Sequence, residues 1–307
     1  MVPLISVITC AHNPKLKYLQ QVLEALKCQT LDSNLWEYLL IDNGSREALE
    51  NRIDLSWQPH ARHIHEERLG LTMARLRGIE DAKGEILVFV DDDNVLDSDF
   101  LEQVLHVSRQ WAFIGAWSGQ TRPGFDVPPP AWTSRYWGNL VIREFEDDIW
   151  SNLPHLPETM PCGAGMCVRR EVAEHYAHLH SSGRRPVMLD RTGKSLLSGG
   201  DNDLAACACD LGHGMGLFAA LKLTHLIPPQ RLEEDYLVRL AEGISYSTVI
   251  LHSYRSSTST PPPVMWSSKV ANIVRIAVMG RRRRRFHQAV QRGEREATLY
   301  LLQNSTH

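Results

Sequence analysis

The sequence predicts an α/β fold, a mostly parallel central sheet flanked by helices. Three observations carry this. Apolar, β-branched runs alternate with helical periodicity through the first third of the chain. Those runs are continuously apolar, as strands covered on both faces are. Two of them stop in polar clusters, Asp42-Asn43-Gly44-Ser45 and Asp91-Asp92-Asp93-Asn94. In open α/β sheets, ligands bind outside the carboxyl ends of the strands. The chemistry is therefore expected at these two clusters.

Each element follows from its own pattern. Residues 4–9 form a short apolar run, a buried first strand. It ends at Cys10-Ala11-His12-Asn13-Pro14, where Asn13 suits a cap and Pro14 a first helical turn. Leu16, Leu19, Val22, Leu23 and Leu26 then recur at helical spacing. Residues 38–41 are a second strand, and a short third is expected around 63–65. Residues 69–82 read as a helix closed by Lys83-Gly84. Residues 85–90 are the strongest strand and run straight into the aspartates. A helix over 98–109 follows. Residues 121–161, rich in proline and aromatics, predict a long irregular segment covering a site. A strand near 160–168 and two helices come next, the second after Ser198-Gly199-Gly200. Residues 215–221 are apolar, 224–229 are strand-like, and 232–250 read as one or two helices.

The chain has 307 residues, with 33 Lys+Arg against 36 Asp+Glu and a formal net charge of −3. Residues 258–307 carry nine basic and two acidic side chains, which leaves the rest at −10. An acidic body with a basic tail is thus expected. Composition excludes a disordered chain, a collagen-like repeat and a disulfide miniprotein. Six cysteines without paired CxxC spacing read as reduced thiols. No cleavable leader and no membrane-length apolar run are evident, so a cytoplasmic location is expected.

Three consecutive carboxylates at a buried strand end repel one another. Either a divalent cation compensates them or they form a solvated loop that caps the next helix. Oxygen ligands favour Mg²⁺ or Mn²⁺ over zinc. The first strand–helix turn lacks GxGxxG, so a dinucleotide site is not supported. Arg191-Thr192-Gly193-Lys194-Ser195 ends like a P-loop but lacks its first glycine. His60, His63 and His65 read as a polar strand. Asp42-Asn43-Gly44-Ser45 would make a tight turn whatever else it does.

The ordered blocks resemble the family 2 glycosyltransferases of GT-A fold. They are Ile5-Ser6-Val7-Ile8-Thr9-Cys10-Ala11-His12-Asn13, Leu40-Ile41-Asp42-Asn43-Gly44-Ser45, residues 69–79, and Val88-Phe89-Val90-Asp91-Asp92-Asp93-Asn94. Gly163-Ala164-Gly165, Gly199-Gly200-Asp201-Asn202-Asp203-Leu204 and His225-Leu226-Ile227-Pro228-Pro229-Gln230-Arg231-Leu232 agree as well. The likeness covers residues 4–250. One departure matters most: Gly200 stands where the family carries glutamate.

The resemblance implies a GT-A domain over 1–257, with a Rossmann-like nucleotide-sugar half (1–119) and an acceptor half (120–257). Residues 258–307 would be a linker and a helical basic tail. It implies inverting, metal-dependent transfer of a sugar from a nucleotide-diphosphate donor, most simply a UDP-sugar, to a hydroxyl. Cell-surface polysaccharide or glycolipid synthesis is the expected setting. Donor contacts would come from Thr9, His12, Asn13, Asp42, Asn43, Arg75, Asp91 and Asp92. Asp93, Asp91 and His225 would hold Mg²⁺ or Mn²⁺. Asp201 would be the general base. Asp203, Trp132, Trp137, Trp150, Gly163 and Gly165 would face a saccharide or lipid-linked acceptor. Arg77 reads as an exposed helix arginine, and the tryptophans serve equally as core. The alternative class is a nucleotide-sugar-binding or nucleotidyltransferase-type protein. For the tail, residues 270–278 form one apolar helical face beside Arg281, Arg282, Arg283, Arg284 and Arg285. That pattern suits peripheral attachment to an anionic leaflet, or packing on the acidic body or a second subunit. No nucleic-acid recognition pattern accompanies the charge.

Overall fold

A computed structural model describes residues 2–193, 195–255 and 279–304. The linker and the apolar face at 270–278 lie outside the described residues. Three neighbouring strands pair in parallel with a fourth: β1 (Ile5–Ala11), β2 (Trp36–Asp42), β3 (Ala61–His65) and β4 (Ile86–Phe89). The rest of the chain adds β5 (Asn94–Leu96), β6 (Ile114–Phe125), β7 (Ile149–Ser151), β8 (Met166–Arg169) and β9 (Gly214–Ile227). The sheet order is β3-β2-β1-β4-β8-β6-β9-β5, with β7 beside β9. β8 runs antiparallel to both β4 and β6, whereas β6 and β9 are parallel. Parallel pairing therefore joins β3, β2, β1 and β4, and again β6 with β9, and the sheet as a whole is mixed.

Helices cover both faces. Alternate strand residues explain the two layers. Val7, Leu40 and Val88 pack with Leu19, Val22, Leu101 and Val104 of α1 (Leu16–Lys27) and α3 (Phe100–Gln110). Ile8, Leu39 and Phe89 face the other layer, α2 (Leu71–Asp81), α4 (Arg170–Ser181) and α5 (Gly200–Asp210). The alternation buries Thr9 completely within the sheet. Its side chain cannot meet a donor, which corrects the expectation for it.

Two features depart from the sequence pattern. The apolar pieces at 215–221 and 224–229 are one strand, β9, of 14 residues. The short strand β5, directly after the aspartates, pairs antiparallel with it and sets Asn94 opposite His225. Residues 232–250 give one long helix, α6 (Glu234–Ser253). The basic helix α7 (Arg281–Asn304) lies along it. Phe286 and Ala289 share a core with Leu237, Leu240 and Ala241. Arg282 and Arg285 pair with Glu234, Arg285 also with Asp235, and Arg292 pairs with Glu242. Packing of the basic helix on the acidic body is thus the arrangement observed. Among the described residues no helix is long and apolar enough to cross a membrane.

Candidate active site

The carboxyl ends of β1, β2 and β4 meet at one rim. The loops there are stitched to one another. The His12 imidazole contacts the Asn43 carbonyl at 2.7 Å, and the Asn13 amide N–H donates to Ser45 Oγ at 3.0 Å. Asn13 Oδ1 accepts from the Arg46 amide. Asp42 is buried, and its two oxygens accept from the Ser45 and Leu49 amides, each at 2.9 Å. Burial pushes this carboxyl up, but hydrogen bonds from Ser45 and Leu49 outweigh it and hold it below the usual range.

Asn43 is spent internally. Its Nδ2 donates to the Glu66 and Arg68 carbonyls, and its Oδ1 accepts from the Gly70 amide. It fastens two loops and does not border the cleft, a correction to its expected donor contact. Arg77 pairs with Asp81 on the surface of α2, as its pattern implied.

A cleft of about 160 Å³ opens beside β4. Asp91, Asp92, Asp93, Arg75, Gly163, Asp190, Arg191, Asp201, His225 and Arg231 border it. The β5–β9 register brings His225 to Asp93, with Nε2 and Oδ2 at 3.6 Å, too long for a hydrogen bond. Arg231 occupies both: its Nη2 lies 2.9 Å from Asp93 Oδ2 and its Nη1 2.8 Å from His225 Nε2. The other imidazole nitrogen faces the Leu140 carbonyl at 2.9 Å. With Nδ1–H donating there, the Nε2 lone pair accepts from Arg231, and a cation would have to displace that guanidinium.

The three aspartates are not equivalent. Burial pushes Asp93 up, but His225 and Arg231 overcome this and hold it well below the usual range. Asp92 is pushed up to about 8, by burial first and then by the charges of Asp93 and Asp91. Asp91 is raised by burial and by Asp93. Burial and mutual repulsion thus outweigh the nearby arginines at Asp91 and Asp92. Hard oxygen donors crowded together beside an imidazole fit a divalent cation. A second group, His175, Cys207 and Asp210, brings ligand atoms within 4.8 Å of one another. There Arg255 already pairs with Asp210, and burial raises the Cys207 thiol.

Asp201 sits in the first turn of α5. Its Oδ2 accepts from the Gly163 amide at 2.6 Å, and its Oδ1 from the Asn202 amide at 2.9 Å. A Cβ on Gly163 would lie 2.8 Å from Arg75 Nη2 and 3.2 Å from Asp201 Oδ2, so a side chain there would displace the guanidinium. Asp201 also borders a second cavity, a groove of about 560 Å³. Val141, Ile142, Met160 and Leu251 line that groove together with Arg143 and His155.

The other expected acceptor contacts lie elsewhere. Asp203 is buried between Arg185 and Arg255, each at 2.7 Å. It is an internal ion-pair centre, not an acceptor contact. Gly165 has φ +64°, and a Cβ would clash with Leu223 at 2.6 Å, so it serves the turn into β8. Trp132 lies under Arg282, Trp137 packs on Phe125, and Trp150 on Phe113. None of the three borders either cavity.

Sequence reasoning passed over Asp190, Arg191 and Arg231. Arg191 belongs to the stretch that resembled a P-loop, and Arg231 to the block that begins at His225. Those two positions were the available signals. Asp190 carried none.

The mixed sheet, the covering helices and the acidic strand end define a GT-A fold. The family model for glycosyl transferase family 2 matches residues 6–176, more than half of the chain, and the chain belongs to that family. Putative glycosyltransferase EpsH of Bacillus subtilis (strain 168) is 31% identical over 116 residues, 34% of this chain and 30% of that protein. Putative teichuronic acid biosynthesis glycosyltransferase TuaG of the same organism is 26% identical over 131 residues, 41% of this chain and 50% of that one. The match to these relatives thus spans half of their length or less. The crystal structure of S. aureus TarS 1–349 in complex with UDP-GlcNAc covers 98% of this chain and 91% of its own, with TM-score 0.53 and 14% identity. At that identity the likeness concerns the fold.

Proposed function

We propose that this protein transfers a sugar from a nucleotide-diphosphate donor to a hydroxyl acceptor, with inversion at the anomeric carbon. One observation carries the reading: Asp201 stands at the boundary of two cavities, the charged cleft and the larger groove. The donor diphosphate would lie in the cleft against Arg75, Arg191 and Arg231. The acceptor hydroxyl would approach from the groove. Asp201 would take its proton as it attacks, and backbone amides fix the carboxylate for that role. One base and one attack invert the centre.

Asp91, Asp93 and His225 would hold Mg²⁺ or Mn²⁺, which when bound neutralises charge on the departing nucleoside diphosphate. A uridine base is the reading for the rim formed by His12, Asn13 and Asp42, and the TarS complex with UDP-GlcNAc supports it by fold analogy. An ionised carboxylate has more acceptor positions than its two turn bonds use, so Asp42 can still meet a base N–H. The aliphatic groove suits an acceptor with an apolar part, such as a lipid-linked saccharide. A cytoplasmic site of action at the inner face of a membrane, in cell-surface glycan synthesis, belongs to the same proposal.

The test is thermal stabilisation by UDP-, GDP- and dTDP-sugars with and without Mn²⁺. A shift that requires both a UDP-sugar and the metal is the expected result. A panel without any metal-dependent shift would return the protein to the binding-module class.

A further inference from the structure

Gly200 opens α5 with no left-handed backbone angle, so its conformation does not demand glycine. Space does. A Cβ built there would lie 2.1 Å from Oδ2, 2.5 Å from Cγ and 2.7 Å from Oδ1 of Asp190. The Asp190 carboxylate therefore fills the volume that a side chain at position 200 would use. Asp190 is buried, and it accepts from Thr72 Oγ1 at 2.9 Å and from Arg75 Nη1 at 2.8 Å. Thr72 and Arg75 are three residues apart on α2, one face of the helix, so a single carboxylate can hold both. Arg75 is buried as well, and its Nη2 would lie 2.8 Å from a Cβ built on Gly163, the residue whose amide donates to Asp201.

We propose that Asp190 is the positioning carboxylate of this site, and that Gly200 is glycine to admit it. The chain thus supplies from the loop before α5 the carboxylate that α5 itself lacks. This agrees with the departure from the family pattern that matters most, glycine where glutamate is usual. Asp190 acts through Arg75. It holds the guanidinium in the cleft and keeps it from pairing with Asp201, the proposed base. A buried arginine stripped of its carboxylate seeks another, and Asp201 and Asp91 are the charges nearest in effect. The role of Arg75 toward a diphosphate rests on the transferase reading. The exchange between positions 190 and 200 does not.

The test is a four-protein cycle: wild type, Asp190→Ala, Gly200→Glu and the double variant. UDP binding in the presence of Mn²⁺ is followed by calorimetry, and unfolding by thermal melts. Each single change is expected to weaken UDP binding about tenfold, the scale of one lost charge-assisted hydrogen bond. Gly200→Glu does so by driving a second carboxylate into the first. The double variant is expected to recover most of both losses, because the new carboxylate enters the vacated volume. A folded double variant that binds UDP no better than Asp190→Ala overturns the proposal. Asp190→Asn keeps the shape and removes the charge, and unchanged UDP binding by it also overturns the proposal. If wild type binds no UDP, the transferase reading fails. The melting temperatures still decide the exchange: recovery in the double supports it, and additive losses end it.

Discussion

Asp42 shows what a single carboxylate does at this rim. Its bonds to Ser45 and Leu49 close the turn after β2. Its folded carboxyl lies below the ordinary value, so its contribution is present above about pH 4 and lost as pH falls through the folded value. Asp42→Asn should cost about 1–2 kcal/mol near neutral pH. The gap to wild type should close in acid, and urea unfolding at pH 7 and pH 3 checks this. Arg231 makes a second case. It holds the lone pairs of Asp93 and His225 that a cation would use. Arg231→Ala should melt lower in chelator, and Mn²⁺ alone should raise its melting temperature more than it raises that of wild type. An equal Mn²⁺ shift in the two proteins contradicts this competition. The aspartate triplet stood out because it follows an apolar strand directly, and Asp201 stood out only through the resemblance. Asn43, Asp203 and Asp190 were not, because an internal fastener and a ligand-binding residue share the same side-chain chemistry. Only the partner tells them apart, and sequence spacing does not name the partner.

At the scale of elements, the site depends on β5, three residues long and adjacent to the triplet. Its pairing with β9 carries His225 to Asp93 across more than 130 residues of sequence. A strand this short leaves almost no periodicity, so this approach was legible only through resemblance. The tryptophans lie outside both cavities, which their spacing could not say. Aromatic residues near a site stack on sugars or fill the core with equal ease, and here they pack on Arg282, Phe125 and Phe113. The α6–α7 pair can be tested directly. A Cβ on Gly293 would lie 2.3 Å from the Glu242 carbonyl, so glycine permits the close approach of the helices. Gly293→Leu should push α7 off α6 and destabilise the protein by about 1–3 kcal/mol, the usual range for overpacking. Thermal melts and faster proteolysis within α7 would register it, while unchanged melting would show that the helices do not need this contact.

For the whole molecule, the net charge of −3 sums two unlike parts, and the structure joins them. Much of α7 is basic, and it pairs with Glu234, Asp235 and Glu242 of the acidic body. These pairs are largely exposed, so each contributes little and salt screens it. The apolar contacts of Phe286 and Ala289 provide the more durable attachment. The fold class was legible from strand periodicity and from the order of the motifs. The helix docking was not, because amphipathic basic helices suit membranes and proteins alike. The proposed function rests on Asp201 as the carboxylate common to cleft and groove. The most direct measurement is sugar transfer, followed as UDP release from a UDP-sugar, for wild type and Asp201→Asn, with UDP affinity measured beside it. The account expects release to fall by roughly 100-fold or more, the usual reach of a general base, with UDP affinity preserved. Wild-type turnover by Asp201→Asn would contradict it.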